Sequence, residues 1–231
     1  AVVSTIVTPF VLQQQELVSF GTLQDQAVVD SIYANAVSSY IFSIILGVLI
    51  MAGEFRHGTA VATFLTAPKR VTVLWAKLGI AAIAGALMQL VSAVIAIAAG
   101  ALTLTFFDDV AEPSAGIFVN TLLAAVLSGA VLAVIGVALG TLIRNQLIAV
   151  VSALVWLFIF EPILLVLWPE GGKWFPTGAI SAMLAIDIDA PELGLSTADL
   201  LDPLSGTLLL LGYGAVFAAV AIATSLRRDI D

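Results

Sequence analysis

Glu161 interrupts an otherwise uncharged run from Asn145 to Trp168. A carboxylate at such a position is a candidate for meeting a cation or a proton, because an isolated charge in an apolar medium is costly. Pro162 follows it and gives a second reading, in which the helix breaks and Glu161 caps the short segment beyond. Other chemistry is sparse. The chain has one histidine, His57, and no cysteine. A zinc site of the usual kind and any disulfide or thiolate chemistry are therefore excluded. Asp187, Asp189, Glu192, Asp199 and Asp202 invite a calcium reading, but their spacing lacks the glycine and closing glutamate of an EF loop. Solvated loop acids are expected instead. No GxxxxGKS/T phosphate loop occurs, and Gly171-Gly172-Lys173 is not one, so this chain is not expected to hydrolyse ATP. Neither GxSxG nor HExxH is present, which weighs against a hydrolase.

The elements that hold these residues are set by composition. Of 231 residues, 61% are hydrophobic and 10% charged, against about 25% charged in soluble domains. Mean hydropathy is +1.15. A soluble fold of this size has too little interior for so much apolar surface, so the reading is an all-α, polytopic helical membrane protein. Continuous rather than alternating apolar runs exclude a porin-like barrel. Five complete spans are predicted at about 31–53, 73–107, 116–143, 146–168 and 203–226, forming a single transmembrane domain with an extracellular loop over 169–202. The apolar stretch Ala1–Leu12, at roughly 18 Å of helix, is too short to cross. It is read as the outer end of a sixth, N-terminal helix, the alternative being a segment lying on the outer leaflet.

Charge orients the bundle. With the connector after the first span inside, Arg56, Lys69, Arg70, Lys77, Arg144, Arg227 and Arg228 fall inside and only Lys173 outside. The reverse arrangement inverts that ratio, so the 53–72 loop and the C-terminus are expected in the cytoplasm and the protein in the cell membrane. The acids Asp108, Asp109, Glu112 and Glu170 fall outside, as does the N-terminal segment with Glu16, Asp25 and Asp30, so the net charge of −8 is split between two faces.

Polar positions inside the spans are few. Asn35, Ser38, Ser39 and Ser43 make the outer half of the first span mildly polar, which suits a cavity wall. Gln89 lies near mid-membrane, where its amide needs a partner helix or a wet cavity. Asn35, Ser39, Ser43, Gln89 and Glu161 are therefore the translocation candidates. Gln89 also belongs to a stripe of Gly85, Ser92, Ala96 and Gly100. The next span carries Ala125, Gly129, Ala133, Gly136 and Gly140. Such faces let helix backbones approach closely, and packing within the molecule is favoured for both over ligand contact.

The connector between the first two spans is the densest feature. Gly58 ends the incoming helix and Thr59 caps a short new one at about 59–66. Val61, Phe64 and Leu65 then share one face, and Pro68 suits the first turn of the next span. Spacing alone fits either a protein groove or a bed of lipid headgroups.

The string Gly53-Glu54-Phe55-Arg56-His57-Gly58-Thr59, followed by Leu65, Ala67-Pro68-Lys69-Arg70 and Lys77, resembles the cytoplasmic signature of ABC-2 type transporter permeases. Trp174-Phe175-Pro176 and the ending Leu226-Arg227-Arg228-Asp229 are similar to that family's features as well. The resemblance implies six spans and a coupling helix that docks on a separate ATP-binding cassette ATPase. Two such ATPases would serve each complex, alongside a second permease copy or a sister permease. ATP and magnesium would sit on the partner, with no cofactor in this chain and no nucleic acid involved. Carried over, Glu54, Arg56, Gly58 and Thr59 would form the hinge and polar contacts; the helix reading of the connector, rather than the motif, makes Phe64 and Leu65 the apolar plug, with Val61 and Arg70 also among the docking residues. The implied activity is outward movement of a hydrophobic or amphipathic, drug-like compound. A lipid or polysaccharide-precursor exporter is the alternative within the family. A membrane-embedded enzyme would need clustered acids or histidines at one leaflet, and a passive channel would need a polar-lined span, hinted at only by the helix from Ser31.

Overall fold

The computed structural model describes residues 1–14, 23–57, 70–143, 145–184 and 201–227. Among them the regular elements are all helical. In chain order they are α1 (Val2–Gln14), α2 (Gln26–Ala34), a 3-10 segment (Asn35–Ser39) and α3 (Tyr40–His57). Then come α4 (Arg70–Leu104), α5 (Ile117–Leu142), α6 (Gln146–Val155), a π segment (Trp156–Phe160) and α7 (Glu161–Leu167). A second 3-10 segment (Pro169–Trp174), α8 (Pro176–Leu184) and α9 (Pro203–Arg227) follow. Among the described residues five stretches are long and apolar enough to cross a bilayer: Gln26–Glu54, Val71–Leu104, Ile117–Leu142, Gln146–Leu164 and Pro203–Thr224. The chain is an all-α, multi-pass membrane protein.

The pattern along α4 shows why lipid is the solvent. Gly85, Gln89, Ala93, Ala96 and Gly100 are buried, while Ile80, Ile83, Leu87, Val91 and Val94 are exposed. Small and polar side chains face inwards and large apolar ones outwards, the reverse of a soluble helix. Helix α5 is the centre of the bundle, with 61% of its most apolar stretch buried against 28% in α4 and 22% in α9.

Backbone proximity sets the directions. A Cβ on Gly136 would overlap the Ile44 carbonyl oxygen, and one on Gly47 would overlap that of Ala133. Gly140 meets Met51 and Ala52, so α3 and α5 run parallel. A Cβ on Gly85 would overlap the Gly129 carbonyl, and one on Gly129 would meet Gln89 Cβ at 2.6 Å, so α4 lies antiparallel between them in the chain. The small-residue stripes of both helices are thus contact surfaces within the molecule. Large side chains would hold these axes apart and lose the close dispersion contacts that substitute for a hydrophobic drive in lipid.

Three features depart from the sequence reading. The first span begins at Gln26 rather than 31, because Asp25 caps it by accepting from the Ala27 amide at 3.0 Å. Asp30, expected in an outside segment, is thereby inside the span. It is buried and accepts from the Ser114 amide (2.9 Å) and hydroxyl (2.6 Å). Second, Pro162 does not break its helix. The Glu161 amide reaches back to the Trp156 carbonyl, a π turn that absorbs the residue whose N–H proline lacks. Third, residues 169–184 of the expected outer loop are ordered helix. Gly178, Ala179, Ile180, Ala182, Met183 and Leu184 are all buried, because α8 packs on α5 and α9.

At the N-terminal end, Thr5 reaches Gly100 and Phe10 meets Phe107 edge-on at 5.1 Å. Helix α1 therefore follows α4 towards the same end of the bundle.

Candidate functional site

Two places concentrate polar groups inside the apolar bundle. The first lies where the 3-10 segment meets α4 and α5. Val37 gives its carbonyl to the Tyr40 amide in 3-10 fashion, which leaves it open to a second donor. Gln89, fully buried, supplies it through Nε2 at 2.6 Å. One turn along, Ser39 and Ser92 share a hydrogen bond of 2.8 Å. Asn35 opens the segment, and its carbonyl accepts from Ser38 Oγ at 2.6 Å. Ser43 Oγ, Gln89 Oε1 and Thr121 Oγ1 are buried without a hydrogen-bond partner. Four of the expected translocation residues (Asn35, Ser39, Ser43 and Gln89) thus fall on or beside this one irregular segment. Thr121 is a further buried polar residue that the sequence reading missed, since a lone threonine in a long apolar run carries no periodic signal.

The second place is Glu161, 1% exposed. Its Oε1 accepts from the Thr177 amide (3.0 Å) and the Thr177 hydroxyl (2.5 Å), while Oε2 has no hydrogen-bond partner. Thr177 is in the first turn of α8, so the carboxylate caps a helix sixteen residues away rather than the segment it begins. The depth of that helix explains the need. Tyr213 donates to the Trp174 carbonyl at 2.6 Å, and Gly206 lies on Ala179 and Ala182. Tyr213 is ten residues into α9, roughly 15 Å from its start. The chain therefore dips into the bundle at Trp174 and α8 climbs back out. A helix start at that depth has no bulk water for its free N–H groups, and Glu161 supplies the acceptor.

At the opposite end of the bundle, Lys77 is buried and ion-paired with Glu54, and it also reaches Met51 Sδ at 3.7 Å. This pair ties the last turns of α3 to the third turn of α4, across the two roots of the connector. Glu54, read as a docking contact, is engaged within the chain. Arg56 belongs to the last turn of α3, and Arg70 opens α4. Gly58, Thr59, Val61, Phe64 and Leu65, with the expected coupling helix, lie outside the described residues, as do Asp187, Asp189, Glu192 and Asp199. Among the described residues no cluster of His, Cys, Asp or Glu could hold a metal ion.

Lysine burial was not signalled by sequence, because Lys77 sits at a span boundary where a positive charge ordinarily faces water. No protein-family model matches this chain, and no curated protein matches it either, so any functional reading rests on its own residues and geometry.

Proposed function

We propose that the chain is the membrane-spanning permease subunit of an ATP-driven exporter, worked through its 53–70 connector by a separate ATPase and lodged in the cell membrane with that connector in the cytoplasm. The observation that carries this reading is the Glu54–Lys77 ion pair. It joins the two helices on either side of the segment whose residues resemble the ABC-2 coupling signature. A force applied to the connector would then reach α3 and α4 together. Helix α3 lies backbone to backbone on α5 through Gly47 and Gly136, so it moves as a rod up to the 3-10 segment at Asn35–Ser39. A 3-10 stretch inside a span is a common place for a hinge. The polar side chains gathered there suit a hinge that opens towards cargo. The cargo class is a hydrophobic or amphipathic compound moved outwards, with lipid or polysaccharide precursors as the alternative in the same family.

The test is purification in mild detergent from the native membrane. An ATPase that copurifies, and whose turnover responds to the permease, supports the proposal. Arg56→Glu or Gly58→Pro then leaves insertion intact and uncouples hydrolysis from transport. Normal transport by both variants, or labelling of His57 from outside the cell, removes the docking role.

A further inference from the structure

Glu161 is an acid to which the bundle brings no base. It is 1% exposed, and its Oε2 is enclosed without a hydrogen-bond partner. Its own helix and the π segment before it hold no other ionisable residue, and α5, α6 and α8 hold none. Two phenols come within electrostatic reach of the carboxyl, Tyr40 from the start of α3 and Tyr213 from α9. Neither brings positive charge. The second 3-10 segment carries Glu170 and Lys173, but among the described residues the ion pair is that of Lys77 and Glu54, at the far end of the bundle.

The two carboxyl oxygens are served unequally. Oε1 accepts from both the Thr177 amide and the Thr177 hydroxyl. The carbonyl oxygen of an uncharged acid has two lone pairs and accepts both as well, so the start of α8 is capped in either charge state. Oε2 makes the difference. Ionised, it would be a charged oxygen with neither a donor nor solvent contact, which is far costlier inside an apolar bundle than a hydroxyl is. Because the atom is closed to solvent, a hydrated metal ion or an organic cation has no access to it. A proton alone fits.

We propose that Glu161 is a proton-binding site, with the proton on Oε2 at neutral pH while α8 is docked in the bundle. A glutamate in water is ionised at that pH. A motion that wets Oε2 therefore breaks the O–H bond, leaves its electron pair on the carboxylate and passes the proton to water. The site requires only the re-entrant packing of α8 and stands apart from the transporter reading.

The experiment uses infrared difference spectra of the full-length protein in vesicles at neutral pH, native minus Glu161→Gln. A carboxylic-acid C=O band that moves down in D2O is expected. Thr177→Val deletes the hydroxyl donor to Oε1. It should move that band up, because a hydrogen bond to a carbonyl lowers its stretch. Unfolding in dodecyl sulfate at neutral pH should then release about one proton more from the native chain than from Glu161→Gln. A carboxylate band in place of the acid band overturns the proposal. So does an acid band indifferent to Thr177→Val, equal proton release by the two chains, or a Glu161→Gln chain that does not fold, since the amide mimics the neutral acid.

Discussion

The α3–α4–α5 contact and the α6–α8 region answer the same problem in opposite ways. Neither can rely on water. In the first, regular helices bring glycines against carbonyls, and stability comes from dispersion over closely matched surfaces. In the second, the helix is widened by a π turn, the chain re-enters the bundle beyond it, and freed backbone groups are served one by one by Glu161 and Tyr213. The contrast separates a region built to hold its shape from one whose shape depends on a few replaceable polar contacts.

The sharpest way to break that contrast is at Gly136. Gly136→Leu drives a side chain into the backbone of α3, where no rotamer change gives relief. A loss of about 3 kcal/mol is expected, seen as little folded protein and a lowered melting temperature in detergent. If the variant melts like the native chain, the α3–α5 contact is not close-packed.

Lys77→Met comes next. It leaves Glu54 half-buried beside a thioether without its cation, at a cost on the order of 2 kcal/mol. The double variant Glu54→Gln/Lys77→Met should recover most of it, because both charges are then gone. A double variant no more stable than the single would argue that the pair does not clamp the connector roots.

Glu161→Ala strips the acceptor from the Thr177 amide and hydroxyl, and about 1–2 kcal/mol is expected. Faster hydrogen exchange should be confined to α8. Glu161→Gln keeps a carbonyl oxygen for Thr177 and should exchange like the native protein. Equal disturbance by both would mean that the negative charge, not the cap, is needed, and would return Glu161 to the list of cargo contacts. Smallest is Gly212→Ala, where a methyl group meets nothing within 4 Å. It should be neutral or stabilising by at most about 1 kcal/mol, which makes it the matched control for Gly136.

These regions also differ in how far they could be read from sequence. The glycine stripes of α4 and α5 were legible because lipid packing demands small residues at helical spacing, and both stripes are local patterns. The spans were legible from composition, to within a few residues. Glu161 was singled out, but its partner was not, because Thr177 approaches only once the chain has turned back on itself. Asp30 was assigned to water for a related reason. A charge looks like a boundary until Ser114, more than eighty residues on, is seen to receive it. The 3-10 segment leaves no mark beyond a run of Asn and Ser.

The parallel course of α3 and α5 fixes an order of assembly. Ile44 and Gly136 are separated by the whole of α4, so their surfaces cannot meet while the chain is still being threaded through that span. Helix α3 enters the bilayer before α5 and waits with its Gly47 face against hydrocarbon. Only the arrival of α5 closes the gap, so this contact forms after α5 has left the ribosome.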